Sequence, residues 1–268
     1  MKNGLNRLFR FCLLLFFVGA CGLVWLFVQH NPFEVAMATI EQQQTVSEKP
    51  KALQVATQRV NVVVSASSSD AVVIRLSGEV SAAGKDLIRL QSRMGRDGTL
   101  QVEVSEPQVT DLFWGGMDLQ LEVLLPAAEC ESVGIETATG HIRTDRLSAK
   151  RASIHSSTGD VQVAGFTGKG LELGTDTGDI KLERVTAALR VRSSTGDVDV
   201  LHIPELLHDL RIETDTGDVR VTVDDPPQAA RVQLESDTGE VRLDWPERAR
   251  NSGPAFTVAT ATGDIWVQ

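Results

Sequence analysis

Tyrosine is absent from this 268-residue chain and aromatics make up only 5% of it, so little is available to grip sugar rings by stacking. Cysteine is scarce too. Cys12 and Cys21 fall in an apolar N-terminal run, which leaves Cys130 alone in the remainder and excludes a disulfide there. Acidic residues are missing from the first thirty positions, which hold Lys2, Arg7 and Arg10. Beyond them 23 basic residues face 36 acidic ones, a formal charge of −13 that disfavours nucleic acid and anionic membrane surfaces as partners. His30, His141, His155, His202 and His208 show no metal-ligand spacing, and no Gly-x-Ser-x-Gly elbow or phosphate-binding loop occurs. No catalytic residue, metal or cofactor is therefore expected, and the chain reads as a non-enzyme.

Long hydrophobic runs are limited to one. Phe11 to Val28 is an uncharged stretch of eighteen residues, long enough to span a bilayer with some local thinning. Basic residues ahead of it place residues 1–10 in the cytoplasm and everything after the segment outside. The expected organisation is a transmembrane anchor over 11–29, a linker over 30–51 that includes Gln42-Gln43-Gln44, and a β-domain over 52–268. Val18-Gly19-Ala20-Cys21 also reads as a lipoprotein box with Cys21 as the lipidated residue, and an ordinary cleaved signal is a third reading. All three export the body of the protein, here to the outer side of a bacterial inner membrane.

What the chain has in abundance is one short phrase. Thr-Gly followed by a polar, mostly acidic residue and then a β-branched one recurs seven times, at Gly140, Gly159, Gly178, Gly196, Gly217, Gly239 and Gly263. Successive glycines lie 19, 19, 18, 21, 22 and 24 residues apart, a period that marks a solenoid whose rungs bury their apolar faces by stacking. Leu171 and Leu173 occupy alternate positions before Gly178, and Ile180 and Leu182 alternate after it with the parity shifted by one. Two strands therefore meet at a corner, and glycine supplies the backbone freedom that reverses which parity faces inward. Ser and Thr three residues and one residue before each glycine are expected to face inward as hydroxyl ladders. The predicted fold is an all-β solenoid with seven regular rungs over 131–268, irregular rungs over 52–130, and one transmembrane helix ahead of them.

The repeated Ser/Thr-x-Thr-Gly-Asp-Val/Ile phrase, with Val62-Val63-Val64-Ser65, Val72-Val73-Ile74 and Leu124-Leu125-Pro126, resembles a bacterial β-strand repeat family of unknown function labelled "putative adhesin". The resemblance covers about residues 60–268. It implies a β-solenoid exposed at the cell envelope, often behind one transmembrane helix, with no agreed catalytic residues to transfer. His141 departs from the acidic slot of the phrase.

Several residue sets invite sharper readings. Asp160, Asp179, Asp197, Asp218 and Asp264 share one rung position and either bond turn amides or hold calcium, which needs six to eight converging oxygens. Asp-Thr-Gly at Asp176, Asp215 and Asp237 spells the aspartic-protease triplet, but Ala or Ser replaces the aspartate in other copies. Lys169, Lys181, Arg190, Arg192, Arg211, Arg220 and Arg242 could group as in β-helix polysaccharide enzymes, or could simply be solvated strand faces. Trp114 and Trp266 are candidate partner contacts, and the chain end at Gln268 is a candidate open edge for self-association. The functional expectation is a membrane-anchored adhesin-like module that recognises an envelope protein or glycan. A regulatory ectodomain in envelope-stress sensing and a carbohydrate-active enzyme are the alternatives.

Overall fold

The computed structural model describes residues 37–82, 84–106, 117–127, 130–225, 227, 229–245 and 253–268. They contain eighteen strands and no α-helix, so the all-β expectation holds and no described helix is long and apolar enough to cross a membrane. The apolar segment expected to be a transmembrane helix lies outside the described residues.

Three long strands show how a rung is made. β9 (Ile142–Thr158), β10 (Val161–Thr177) and β11 (Ile180–Thr195) each bend once, at Arg146, Gly165 and Arg184, where φ is 50°, 129° and 51°. The first half of each lies on one wall and the second half on the other. Each strand then ends at a Thr-Gly corner, so two corners per rung wrap the chain around a shared interior. The second corner returns at His202 with φ 54°. Its spacing of 19, 19 and 18 matches the glycines, but no one residue type holds the position, which is Arg, Gly, Arg and His in turn.

The first wall runs, in parallel pairs, from β8 (Cys130–Thr137) through the second halves of β9, β10 and β11 to β13 (Leu210–Thr216). The second wall joins the first halves of the same strands to β12 (Val198–Glu205) and β14 (Val219–Asp225). Beyond this point the stacking leaves sequence order. β17 (Ala255–Thr262) pairs with β13 on one side and with β15 (Arg231–Thr238) on the other. On the second wall β18 (Ile265–Val267) likewise lies between β14 and β16 (Val241–Leu243). The seventh copy is thus inserted between the fifth and the sixth.

The other end does the same thing. β2 (Ala52–Thr57) lies between β6 (Thr99–Ser105) and β8, and β3 (Asn61–Ser67) lies between β7 (Met117–Pro126) and β9. Antiparallel additions extend this end: β4 (Val72–Ser81) on β7, β1 (Met37–Val46) on β4, and β5 (Arg89–Met94) on β6. Much of the expected 30–51 linker is therefore a strand. Its alternation is real but is carried by glutamines: Gln42 and Gln44 are half-buried on the parity of buried Ile40, and their amides bond the backbone of Ile88 and Leu90 in and beside β5.

One apolar core fills the space between the walls, with Val, Ile and Leu at the inward positions of each rung. Thr137, Ser156, Thr175, Ser193, Thr214 and Thr260, three residues before their glycines, are buried as expected. The threonines one residue before are exposed, because the chain already turns out of the wall there. The chain end is not the open edge either. Phe256 and Val258 of β17 are fully covered, while Val232, Leu234 and Leu243 of the sixth copy are only partly buried and Val241 is 46% exposed.

Candidate functional site

The seven corners, the most repeated chemistry in the chain, hold the stack together. Six of the corner glycines have φ between 139° and 151°, and Gly140 is the exception. A Cβ on Gly159, Gly178, Gly196, Gly217, Gly263 or Gly239 would come within 2.0–2.4 Å of the carbonyl oxygen of the corner glycine in the preceding rung of the stack. The corners therefore stack backbone on backbone, a contact only glycine allows. Ser156, Thr175, Ser236 and Thr260 donate from below to these same carbonyls, at 2.8–3.2 Å.

The acidic residue after each glycine completes the corner across rungs. The backbone N–H of Asp179 donates to Oδ1 of Asp160 at 3.0 Å, that of Asp197 to Asp179 at 2.9 Å, and that of Asp218 to Asp197 at 2.9 Å. Asp264 then bonds Asp218 at 2.8 Å and Glu240 bonds Asp264 at 2.7 Å, which repeats the 5-7-6 order of the strands. His141 accepts from the Asp160 N–H through Nδ1 at 3.0 Å and donates its own N–H to Asn61 Oδ1 at 3.0 Å. The imidazole Nδ1 here takes the place of a carboxylate oxygen, which accounts for the departure at this position. The acidic column is occupied with amides, and among the described residues no three His, Cys, Asp or Glu side chains converge on an ion site.

The remaining candidates separate. Asp176, Asp215 and Asp237 sit exposed on non-adjacent corners, separated by the Ser194 corner and by the inserted Ala261 corner, so no two triplets face each other as an aspartic protease needs. The seven basic residues do not form one group: Arg190, Arg192 and Arg211 face out from the first wall, Lys181, Arg220 and Arg242 from the second, and Lys169 is exposed where the register of β10 shifts between Thr167 and Gly170. Trp266 faces out from the second wall in the inserted rung, between Arg220 and Arg242, with the Arg220 guanidinium 5.4 Å from its ring centre. It is therefore not at an edge. Trp114 and Cys21 lie outside the described residues.

What sequence reasoning missed is the shape of the first wall's outer surface. Register places Gln54, Gly134, Ser153, Glu172, Arg190 and Arg211 side by side across six strands. The small residues Gly134, Gly170, Gly174 and Ala188 lower the floor between longer side chains. Two adjoining depressions result, of about 650 and 660 Å³, which share Ser153 and Glu172. Arg151, Glu172 and Arg190 stand on this surface without an ion-pair partner among the described residues. Glu213, by contrast, is bonded by Arg211 and by Arg192, and these two guanidiniums hold its carboxyl below the usual carboxylate range. The spacing signal was in the sequence; the registers that bring these rows together were not.

No curated protein matches the sequence. Among solved structures, a "putative adhesin" from Bacteroides fragilis is 13% identical, with a TM-score of 0.49 over 87% of this chain and 99% of the other. A "putative cell adhesion protein" from Clostridium sporogenes is 14% identical, with a TM-score of 0.41 over 86% and 99%. A "putative lipid binding protein" from Parabacteroides distasonis is 10% identical, with a TM-score of 0.42 over 85% and 94%. Residues 114–267, more than half of the chain and all seven of its Thr-Gly repeats, match the family described as Toastrack DUF4097. The chain therefore belongs to the Toastrack DUF4097 family.

Proposed function

We propose that this protein is an extracytoplasmic binding module, held at the outer face of a bacterial inner membrane by its N-terminal apolar segment and performing no catalysis. The observation that carries the reading is the trough on the first wall, where side chains of both signs stand unpaired over a floor of small residues. The repeated carboxylates, in contrast, are tied into cross-rung bonds. A long shallow surface with hydrogen-bonding and charged groups spread along it suits an extended polar polymer, such as a wall glycan or an unfolded peptide segment. The test uses the full chain in nanodiscs and isolated cell-wall glycan, with binding followed by co-sedimentation. Wild type should be retained and Ser153→Trp, which fills the trough from an exposed position, should be lost. Cleavage of the glycan, or equal retention of both proteins, overturns the reading.

A second reading draws on the tether. The apolar segment ends near residue 29 and β1 begins at Met37, so residues 30–36 can separate them by at most about 25 Å. So short a link suits an ectodomain that reports its bound state through the membrane. Replacing only the apolar segment with an unrelated anchor should then preserve binding and abolish any envelope-stress response; an unchanged response excludes the sensing role.

A further inference from the structure

The two ends of the solenoid are finished differently. At the β1/β5 end the edges of the two walls are bridged by Gln42 and Gln44, whose amides bond the carbonyls of Ile88 and Leu90 and the Leu90 N–H. At the β15/β16 end no described residue pairs with the outer edge of β15, an eight-residue strand without proline. Long, straight edges of this kind are usually blunted, because their free N–H and C=O groups template pairing with another chain.

The direction of those free groups follows from the register. Arg231 is aligned with Ala255 and donates its N–H to Pro254, so Arg231, Gln233 and Glu235 aim their backbone groups at β17; the phase shifts after Ser236, where the Thr238 carbonyl accepts from the Gly263 N–H. Val232, Leu234 and Ser236 therefore aim theirs outward. Their side chains belong to the inner parity of the wall but are only partly covered, so a further strand would complete their burial. The outward-facing side chains are Arg231, Gln233, Glu235 and Asp237, basic at one end and acidic at the other.

We propose that two copies of this chain pair through β15, antiparallel about a two-fold axis at Leu234. This register sets Leu234 opposite itself and Val232 opposite Ser236, all with outward backbone groups, so the hydrogen-bonded positions coincide with the free ones. Arg231 then faces Asp237 of the other copy, and Gln233 faces Glu235. Head-to-tail stacking of one copy's β15/β16 end on the β1/β5 end of a second copy would build open filaments, and the glutamine side chains that bridge β1 and β5 stand at that end. The β15 edge is complementary to itself, and pairing it with its own copy gives a closed dimer. The inference is independent of the trough on the first wall, which stays exposed in such a dimer.

Leu234→Pro is a selective probe, because the lost N–H is not used within the protomer and proline is tolerated on an edge with its N–H side free. The full chain in detergent should be a dimer by sedimentation equilibrium, and Leu234→Pro should weaken it by roughly a factor of ten or more with unchanged circular dichroism. Arg231→Asp should weaken the dimer, and adding Asp237→Arg should restore it. Oxidation of the double variant Gln233→Cys, Glu235→Cys should cross-link two copies through those positions. A monomeric wild type, a dimer indifferent to Leu234→Pro, or a charge swap without rescue overturns the proposal, as does an edge that takes up a strand of another protein in place of its own copy.

Discussion

At the corner glycines and their neighbours the structure is decided by single atoms. Gly196 has φ 139°, and a Cβ there would sit 2.0 Å from the Gly178 carbonyl oxygen, whereas a Cβ on Gly170 meets only one atom, at 4.0 Å. Gly196→Ala should therefore cost about 3 kcal/mol through strain and a backbone clash, while Gly170→Ala should be near neutral. Comparison of their urea midpoints tests this, and equal midpoints contradict the backbone-stacking account. His141 gives the complementary case. His141→Asp should keep the bond from the Asp160 N–H and leave stability unchanged, whereas His141→Ala should lose about 0.5–1 kcal/mol. Cys130 is buried, and burial pushes its thiol up from the usual range. Its thiolate is disfavoured while folded, so the Cys130 peptide should escape iodoacetamide at neutral pH until urea unfolds the chain. The acidic slot was legible in sequence because its spacing is strictly local. That the carboxylate serves the next rung's amide was not, since the partner is 18 to 46 residues away.

Strands were easiest to read where their parity is apolar and hardest where it is not. β10 and β11 alternate Leu, Val and Ile with charge and follow the periodicity. β1 alternates just as regularly, but its inner positions past Ile40 are glutamines that bond backbone, so a hydropathy pattern does not reveal it. The order of the last rungs was likewise hidden. Deletion of Asp264–Gln268 removes β18 and the carboxylate that accepts from Glu240, from between two rungs and not from an end. Such a truncation should therefore loosen both β15–β16 and β17. Limited proteolysis should cut within 231–262 in the truncated chain and spare that region in wild type; cleavage confined to the last strand contradicts the inserted order.

Across the whole molecule the charge is negative, −10 for the full chain at pH 7, yet the carboxylates with shifted titration are held low by local partners. The Arg211 and Arg192 guanidiniums lower Glu213, the Lys181 ammonium lowers Glu183, and hydrogen bonds from Lys49 and Thr99 lower Asp70 and Asp97. A carboxyl lowered in the folded state binds fewer protons there than in the unfolded chain. The stability it adds is therefore present above the unfolded value, near pH 4, and is lost as pH falls through the folded one. Asp70 and Asp97 are exposed and Glu183 and Glu213 only half-buried, so solvent screens each pair and each contribution is small. The urea midpoint should be flat from pH 7 to about 5 and decline below about 4; a midpoint that rises on acidification would be inconsistent with these pairings.

The sequence by itself determined the period, the parity switch at each Thr-Gly corner and the all-β solenoid, because strand alternation and glycine's positive φ are properties of a few adjacent residues. Only the tertiary structure decided which copies touch. The sixth and seventh copies carry the same phrase and the same inward apolar pattern, so either could stack on the fifth as far as local rules go. The choice falls to non-local packing: Phe256 is fully buried between its neighbours with Trp245 against its edge, ring centres 4.8 Å apart, while Val232 and Leu234 can remain half-covered at an end. The same non-local registers built the trough on the first wall and left β15 at an edge, so both proposed contact surfaces lay beyond the reach of the repeat itself.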